Sequence, residues 1–359
     1  MRKSVGLVAA LALAASAFVG APAASAAVED NVIGGGSSFA GGIIRTCATN
    51  FAAAAGTATN PTSATVTYTA NASQTGKDNF ANGQYQIGGT DFIYTNTNGD
   101  NLPTGAKYVA VTSGPIAFAY NLATVNGLRM TPQVLAKIFK GDITTWNHAE
   151  ILAIQPTAVK NALNALASKT ITPAYRTAGS GTSFNLAGYL AATTSNFTQS
   201  SDWSVATGDA TPRGNAYSSS SNLKTGINAT VGSIGYLDLK DATGLKTALL
   251  RNENNQYYAP DAKRSATFLN AQSAAAVKTN GNVDINWNLA VNGGYNATLI
   301  TYAVVNTAGK TVSRKGATVK KFLQYVLNVC GPSVSYGLGY TPIQGNIRTK
   351  AYAILNAVK

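Results

Sequence analysis

The sequence predicts an α/β protein of two domains, and three observations carry that reading. Short apolar runs of strand type alternate with longer runs of helical period along most of the chain. Behind an N-terminal leader of 26 residues remain about 333 residues, more than one hydrophobic core usually serves. Neither an internal repeat nor a long flexible linker interrupts the alternation.

The leader reads as a secretory signal. Arg2 and Lys3 charge its start, an apolar stretch runs from Val5 to about Val19, and Ala24-Ser25-Ala26 is a small-residue cleavage site. The apolar part is too short and too rich in alanine for a spanning helix. Since the cleavage site has no cysteine near it, no lipid anchor is expected, and the mature chain is expected in the periplasm or outside the cell.

The elements follow in order. "NVIGGGSSFAGGIIRTC" reads as strand, glycine turn and helix; "ATVTYTA" (64–70) as a strand; "ASQTGKDNFANG" as a second loop-to-helix step. "YQIGGTDFIY" is an apolar strand ending at Asp91, and "KYVAVTSGPIAFAYNL" holds two strand-like runs. In "TPQVLAKIFKG" Thr131 caps a helix, Pro132 takes its first position and Gly141 ends it. Residues 196–232, rich in Ser, Asn, Gly and Thr, lack a strong period and are expected as surface loops. "SIGYLDL" and "TLITYAVV" are later strands; "GATVKKFLQYVLNV" and "IRTKAYAILNAV" are the last helices.

Charged residues make up only 11% of the chain, yet its net charge is +13. Such a balance favours anionic ligands or anionic surface polymers. Nucleic acid is not an expected partner, because the lysines are scattered and no dense basic run carries interleaved aromatics. Cys47 and Cys330 are the only cysteines. In an exported chain they suggest one disulfide, although two buried thiols fit the residues as well. Val319, Phe322, Leu323, Val326 and Cys330 share one helical face, which turns the sulfur inward.

Several chemistries find no residues. His148 is the single histidine and sits in "TTWNHAEI", away from any serine elbow; it reads as a solvated or helix-capping residue. One histidine and two distant cysteines make no zinc site. No phosphate-loop lysine and no dinucleotide fingerprint occur: "GGGSSF" has the glycines alone. Paired catalytic carboxylates are hard to nominate among 14 acids. The inventory points to binding rather than to an enzyme, with no metal and no cofactor expected.

Four segments carry the site expected instead. "GGGSSFA" puts Ser37 and Ser38 at a helix start, "NASQTGKDNF" puts Ser73 at another, and "GGTDF" puts Asp91 at a strand end. "RTAGSGTSF" places Arg176 four residues before Ser180, Gly181 and Thr182 at a third helix start. Helix starts offer unpaired N–H groups and partial positive charge, glycine allows close approach, and hydroxyls add donors. The motif suits an anion; a plain N-cap after a turn would look similar.

Together, in this order and spacing, the four segments resemble the phosphate-binding proteins of high-affinity phosphate ABC transporters. "IFKGDITTWN" (138–147), "GSIGYLDL" (232–239) and "LGYTPIQGNI" (338–347) are similar to other recurring segments of that family. The resemblance implies a type II periplasmic-binding-protein fold, in which two α/β domains joined by a two-strand hinge close on one ligand. It implies 27–115 with 298–359 as the first domain, 116–297 as the second, and hinges near Gly114-Pro115 and Asn296-Ala297. Cys47 and Cys330 would then lie in one domain, which favours the disulfide.

The implied ligand is inorganic phosphate. Ser38, the Phe39 backbone N–H and Ser73 would donate from the first two helix starts; Asp91 would accept a proton from the phosphate; Arg176 would give charge-assisted donors. Ser180, Gly181 and Thr182 would complete the cage. The family often has an aspartate two residues beyond the arginine, where this chain has Ala178, and often threonine where it has Ser38. The expected product is a monomeric transport receptor that hands phosphate to a membrane permease. An exported phosphatase, or a surface or matrix protein keeping the same cage, is the alternative.

Overall fold

The computed structural model describes residues 31–96, 99–177, 179–308 and 314–358. The expected signal segment 1–26 and Ala178 lie outside the described residues.

The chain begins with β1 (Val32–Gly36), α1 (Gly41–Ala53), β2 (Val66–Ala70), α2 (Ser73–Ala81) and β3 (Ile87–Thr90). In β2 the residues Val66 and Tyr68 turn inward while Thr67 and Thr69 face water, the two-residue period of a strand with one covered face. β1 lies parallel to both β2 and β3, as the intervening helices require. Then comes β4 (Ala106–Tyr120), followed by β5 (Arg129–Met130), α3 (Pro132–Lys140), α4 (Ala149–Ala153), α5 (Thr157–Asn164), β6 (Thr172–Arg176) and α6 (Gly181–Thr194). α7 (Trp203–Thr207), β7 (Asn215–Tyr217), α8 (Ser220–Ala229), β8 (Ser233–Asp238), β9 (Lys246–Thr247), β10 (Leu249–Arg251), β11 (Tyr257–Tyr258) and α9 (Ala262–Asn270) complete the middle of the chain. β12 (Thr298–Asn306) leads into α10 (Arg314–Tyr325), α11 (Gly331–Val334) and α12 (Gly345–Ala357).

The strands form one path in the order β2-β1-β3-β12-β4-β8-β6-β7, with β9 beside the end of β4; β11, β10 and β5 make a small separate sheet. The α/β expectation is met. The two strand-like runs expected in 106–120 are instead one strand, which serves both halves of the sheet. Its first part pairs antiparallel with β12 as far as Pro115, and its last part pairs with β8 from Ile116 onward. Pro115 has no N–H, but it stands where β4 exchanges one neighbour for the other, so no interior ladder is broken.

Residues 196–232 also depart from expectation, because they hold α7, β7 and α8 rather than loops alone. Few apolar side chains anchor them: Trp203 in α7, Leu223 and Ile227 in α8 are buried. Ser219 caps α8 by accepting the N–H of Asn222 at 3.1 Å. The polar residues around these anchors hide the helical period. Elsewhere local punctuation holds. Thr131 accepts the Val134 N–H at 3.2 Å and Gly141 closes α3 at φ 86°. His148 caps α4, its Nδ1 accepting the Glu150 N–H.

Cys47 of α1 and Cys330, just beyond α10, form a disulfide across a separation of 283 residues. Val319, Phe322, Leu323 and Val326 are buried beside it, and Phe51 meets Phe322 edge to face with ring centres 5.5 Å apart.

Candidate functional site

The starts of four helices meet at one point. Ser38 leads into α1, Ser73 opens α2, Gly181 opens α6 and Ser220 opens α8. Ser38 Oγ lies 3.2 Å from Ser220 Oγ. A Cβ added to Gly181 would stand 2.3 Å from Ser73 Oγ and 2.6 Å from Asp91 Cβ, so only glycine admits this approach. Two residues earlier, Gly179, held at φ +83°, accepts the Gln74 N–H through its carbonyl at 3.2 Å. The start of α2 and the residue after β3 are thus in contact with the segment that opens α6, and the cleft between them is shut. The backbone N–H groups of Phe39, Gly181 and Thr182 donate to no described residue. Four helix starts aimed together make a concentrated patch of partial positive charge.

Arg176 ends β6 and is only 3% exposed. One terminal nitrogen donates to Ser220 Oγ at 3.1 Å and reaches Ser38 Oγ at 3.5 Å; the other donates to the Ser218 carbonyl at 3.0 Å. Its buried Nε has no partner among the described residues. Behind it, Tyr236 accepts the Arg176 N–H at 3.0 Å and pairs with the Ser183 hydroxyl at 2.6 Å, which fixes the strand end. No described carboxylate forms an ion pair with the guanidinium. Burial pulls the Arg176 pKa below its ordinary value, partly offset by the field of Tyr236 and Asp91.

Asp91, also 3% exposed, follows β3 directly. Ser37 and Thr301 each donate to Oδ1 at 2.5 Å. Ser73 donates to Oδ2 at 3.2 Å and accepts the Asp91 N–H at 3.1 Å. Asn185 of α6 donates to the Asp91 carbonyl at 2.6 Å and to the Gly181 carbonyl at 2.9 Å, clasping both sides of the cleft. Burial lifts the Asp91 pKa from 3.8 to about 6; the hydroxyls of Ser37, Thr301 and Ser73 and the charge of Arg176 limit the rise.

The remaining expected residues divide by what they offer. The Phe39 side chain is packed against Tyr340, ring centres 5.7 Å apart, and its carbonyl accepts the Tyr340 hydroxyl at 2.8 Å, while its N–H has no acceptor among the described residues. Ser180 Oγ accepts the Ser183 N–H at 3.2 Å, so this hydroxyl caps α6 while keeping its own proton to donate. Thr182 is buried at the same helix start. Lys77, a second cation near the site in sequence, is turned away. Fully buried, it pairs with Asp100 at 2.8 Å and lies 3.9 Å from the centre of the Phe92 ring.

Sequence reasoning missed Thr301, Asn185, Tyr236, Ser183, Ser218 and Ser220, and gave Ser37 no role. Ser37 was within reach, being the neighbour of Ser38 in the glycine turn. Thr301 lies in a distant strand, and Ser220 lies in the segment taken for loops; neither carries a local signal.

The sequence profile of the PBP superfamily domain matches residues 21–329. The chain belongs to that superfamily. Among curated relatives of this PBP superfamily member is the phosphate-binding protein PstS 3 of Mycobacterium tuberculosis, 28% identical over 305 residues, covering 82% of this chain and 79% of that protein. The phosphate-binding protein PstS of Xylella fastidiosa is 27% identical over 232 residues, covering 61% and 58%. Two solved structures share the PBP superfamily member's fold. A phosphate-binding protein from Stenotrophomonas maltophilia aligns with a TM-score of 0.63 at 19% identity, covering 90% of this chain and 93% of that one. A high-affinity periplasmic phosphate-binding protein solved with phosphate aligns with a TM-score of 0.66 at 20% identity, with the same coverage.

Proposed function

We propose that this protein captures inorganic phosphate in the cleft between its two halves and delivers it to a membrane permease for uptake. One observation carries the reading: a buried arginine without a carboxylate partner faces the joined starts of four helices. Such a cation is costly unless an anion completes it. The names of the relatives, all phosphate-binding proteins, point the same way.

In this reading the donors are the Ser38, Ser180 and Thr182 hydroxyls, the N–H groups of Phe39, Gly181 and Thr182, and Arg176; Ser73 joins them by turning to the ligand the proton it gives Asp91 Oδ2. Asp91 accepts a proton that phosphate has and sulfate lacks. Capture is stoichiometric binding rather than catalysis. Ligand favours the closed cleft because only there do both halves donate at once. We infer domains of 27–115 with 298–359 and of 116–297; the change of partner along β4 at Pro115 and Ile116 and the start of β12 at Thr298 support this division. A monomer exported to the periplasm or beyond is the form that suits the task. No contact described above favours the phosphatase or the surface-adhesion alternative.

Calorimetry of the protein, stripped of bound anion, tests the reading. Saturable one-to-one binding of phosphate is expected, with sulfate much weaker. Absence of any heat with millimolar phosphate would refute it.

A further inference from the structure

We propose that Ser37 and Thr301 decide which oxyanions the cleft accepts, by holding Asp91 as a pure acceptor with one available oxygen, Oδ2, turned to the ligand. The proposal rests on the phosphate reading and deepens it.

The two carboxylate oxygens of Asp91 are unequal. Oδ1 receives two hydroxyl protons, from Ser37 and Thr301, both at 2.5 Å. Oδ2 receives one, from Ser73 at the longer distance of 3.2 Å. A Cβ on Gly181 would come within 2.7 Å of Oδ2, so this oxygen faces the start of α6 and the bare amides there. The donors to Oδ1 come from the same side of the cleft as Asp91, since Ser37 follows β1 and Thr301 lies on β12, the two strands that flank β3. Ser37 is fixed at the start of α1, where its Oγ also accepts the Ala40 N–H at 3.3 Å. Thr301 sits in the centre of the sheet on β12, and its branched side chain has few rotamers to choose from. A proton on Oδ1 would require one of these hydroxyls to stop donating. Any proton at this carboxyl must therefore lie on Oδ2, where it would turn the acceptor into a donor.

That conversion matters for selection. Ionised Asp91 accepts from a protonated oxyanion and repels a proton-free one; protonated Asp91 donates to either. The groups facing Asp91 are Arg176 from β6, Tyr68 from β2 and Tyr302 from β12. Both tyrosines are buried and have their pKa raised, so Arg176 is the one that carries charge at neutral pH. Against a pKa already lifted to about 6, each lost hydroxyl donor is expected to raise the midpoint by about one unit, into the neutral range.

Competition titrations of phosphate against sulfate from pH 5 to pH 8.5 read this out, on wild type, Ser37→Ala and Thr301→Val, with Ser37→Thr and Thr301→Ser as conservative controls. Wild type is expected to discriminate well at high pH and to lose discrimination towards pH 5. Each truncation is expected to move that profile upward by about one pH unit, so that sulfate competes about fivefold better near pH 7. The conservative variants are expected to restore the wild-type profile. Truncations that weaken phosphate and sulfate equally at every pH would overturn the proposal and leave a merely structural role. Wild type that binds phosphate with no pH dependence of the ratio would overturn it as well. Wild type that binds no phosphate would instead remove the underlying reading, and this result is recognisable before any variant is made.

Discussion

Gly181→Ala is the sharpest test of a cleft that must close completely. The added methyl would stand 2.3 Å from Ser73 Oγ, 2.6 Å from Asp91 Cβ and 2.7 Å from Asp91 Oδ2. Ordinary contact for such atoms is about 3.5–4 Å, so the two sides must separate by roughly 1 Å at this point. The amides of Gly181 and Thr182 move back with α6, and a hydrogen bond lengthened by that much is lost. Two bonds to a charged acceptor contribute about 3 kcal/mol together at the low end, so phosphate affinity should fall about a hundredfold. The ligand-free protein should lose little stability, because an open cleft accommodates the methyl and alanine suits the first turn of a helix. Calorimetry gives the affinity, and thermal unfolding without ligand gives the stability. Gly337→Ala is the control, since its Cβ would meet nothing within 4 Å. Undiminished affinity in Gly181→Ala would refute the argument that ligand is held with the two sides in contact.

Arg176→Ala should abolish tight phosphate binding, at a cost of about 3–5 kcal/mol, because the bound anion would face Asp91 with neutral donors alone; a titration checks it. Asp91→Asn should let sulfate compete, and an unchanged sulfate-to-phosphate ratio would count against the assigned role. The pH dependence of folding should show Asp91 directly. Its folded pKa, about 6, lies above the ordinary 3.8, so the folded state holds the proton longer; the resulting stability is present below about pH 4 and lost as pH rises through 6. The two units amount to about 3 kcal/mol, and melting temperatures of stripped wild type and Asp91→Asn between pH 4 and pH 7 should differ in slope accordingly. Replacing Cys47 and Cys330 with serine should cost about 5 kcal/mol in the chain-entropy account of so long a loop, measured by denaturant midpoint.

What was legible in the sequence was local. Glycine, hydroxyl and helix start are contiguous in "GGGSSF" and "GSGTSF", so Ser38, Gly181 and Thr182 announce themselves. The punctuation of α3 was legible for the same reason. The partners of those residues were not, because they are set by strand order. Thr301 reaches Asp91 only because β12 lies beside β3. Ser220 reaches Arg176 because β7 lies beside β6 and delivers the start of α8 to the same end. Sequence also read two strand-like runs where there is one strand, since nothing local says that Pro115 falls where that strand changes neighbours.

The placement of β12 also bears on how the chain comes to be folded at all. β3 pairs on one side with β1 and on the other with β12, which arrives roughly 200 residues later. Until Asn306 has been made and released, the edge of β3 stays unpaired and the first half lacks its central strand. An open edge is a hazard for any nascent or threading chain. Here the exposed strand is "IGGT", four residues with two glycines, which pairs weakly with strangers. Gly88 and Gly89, where an added Cβ would run into Phe80 and Tyr68, therefore serve the packing of the finished protein and also make the unfinished edge a poor partner for its neighbours.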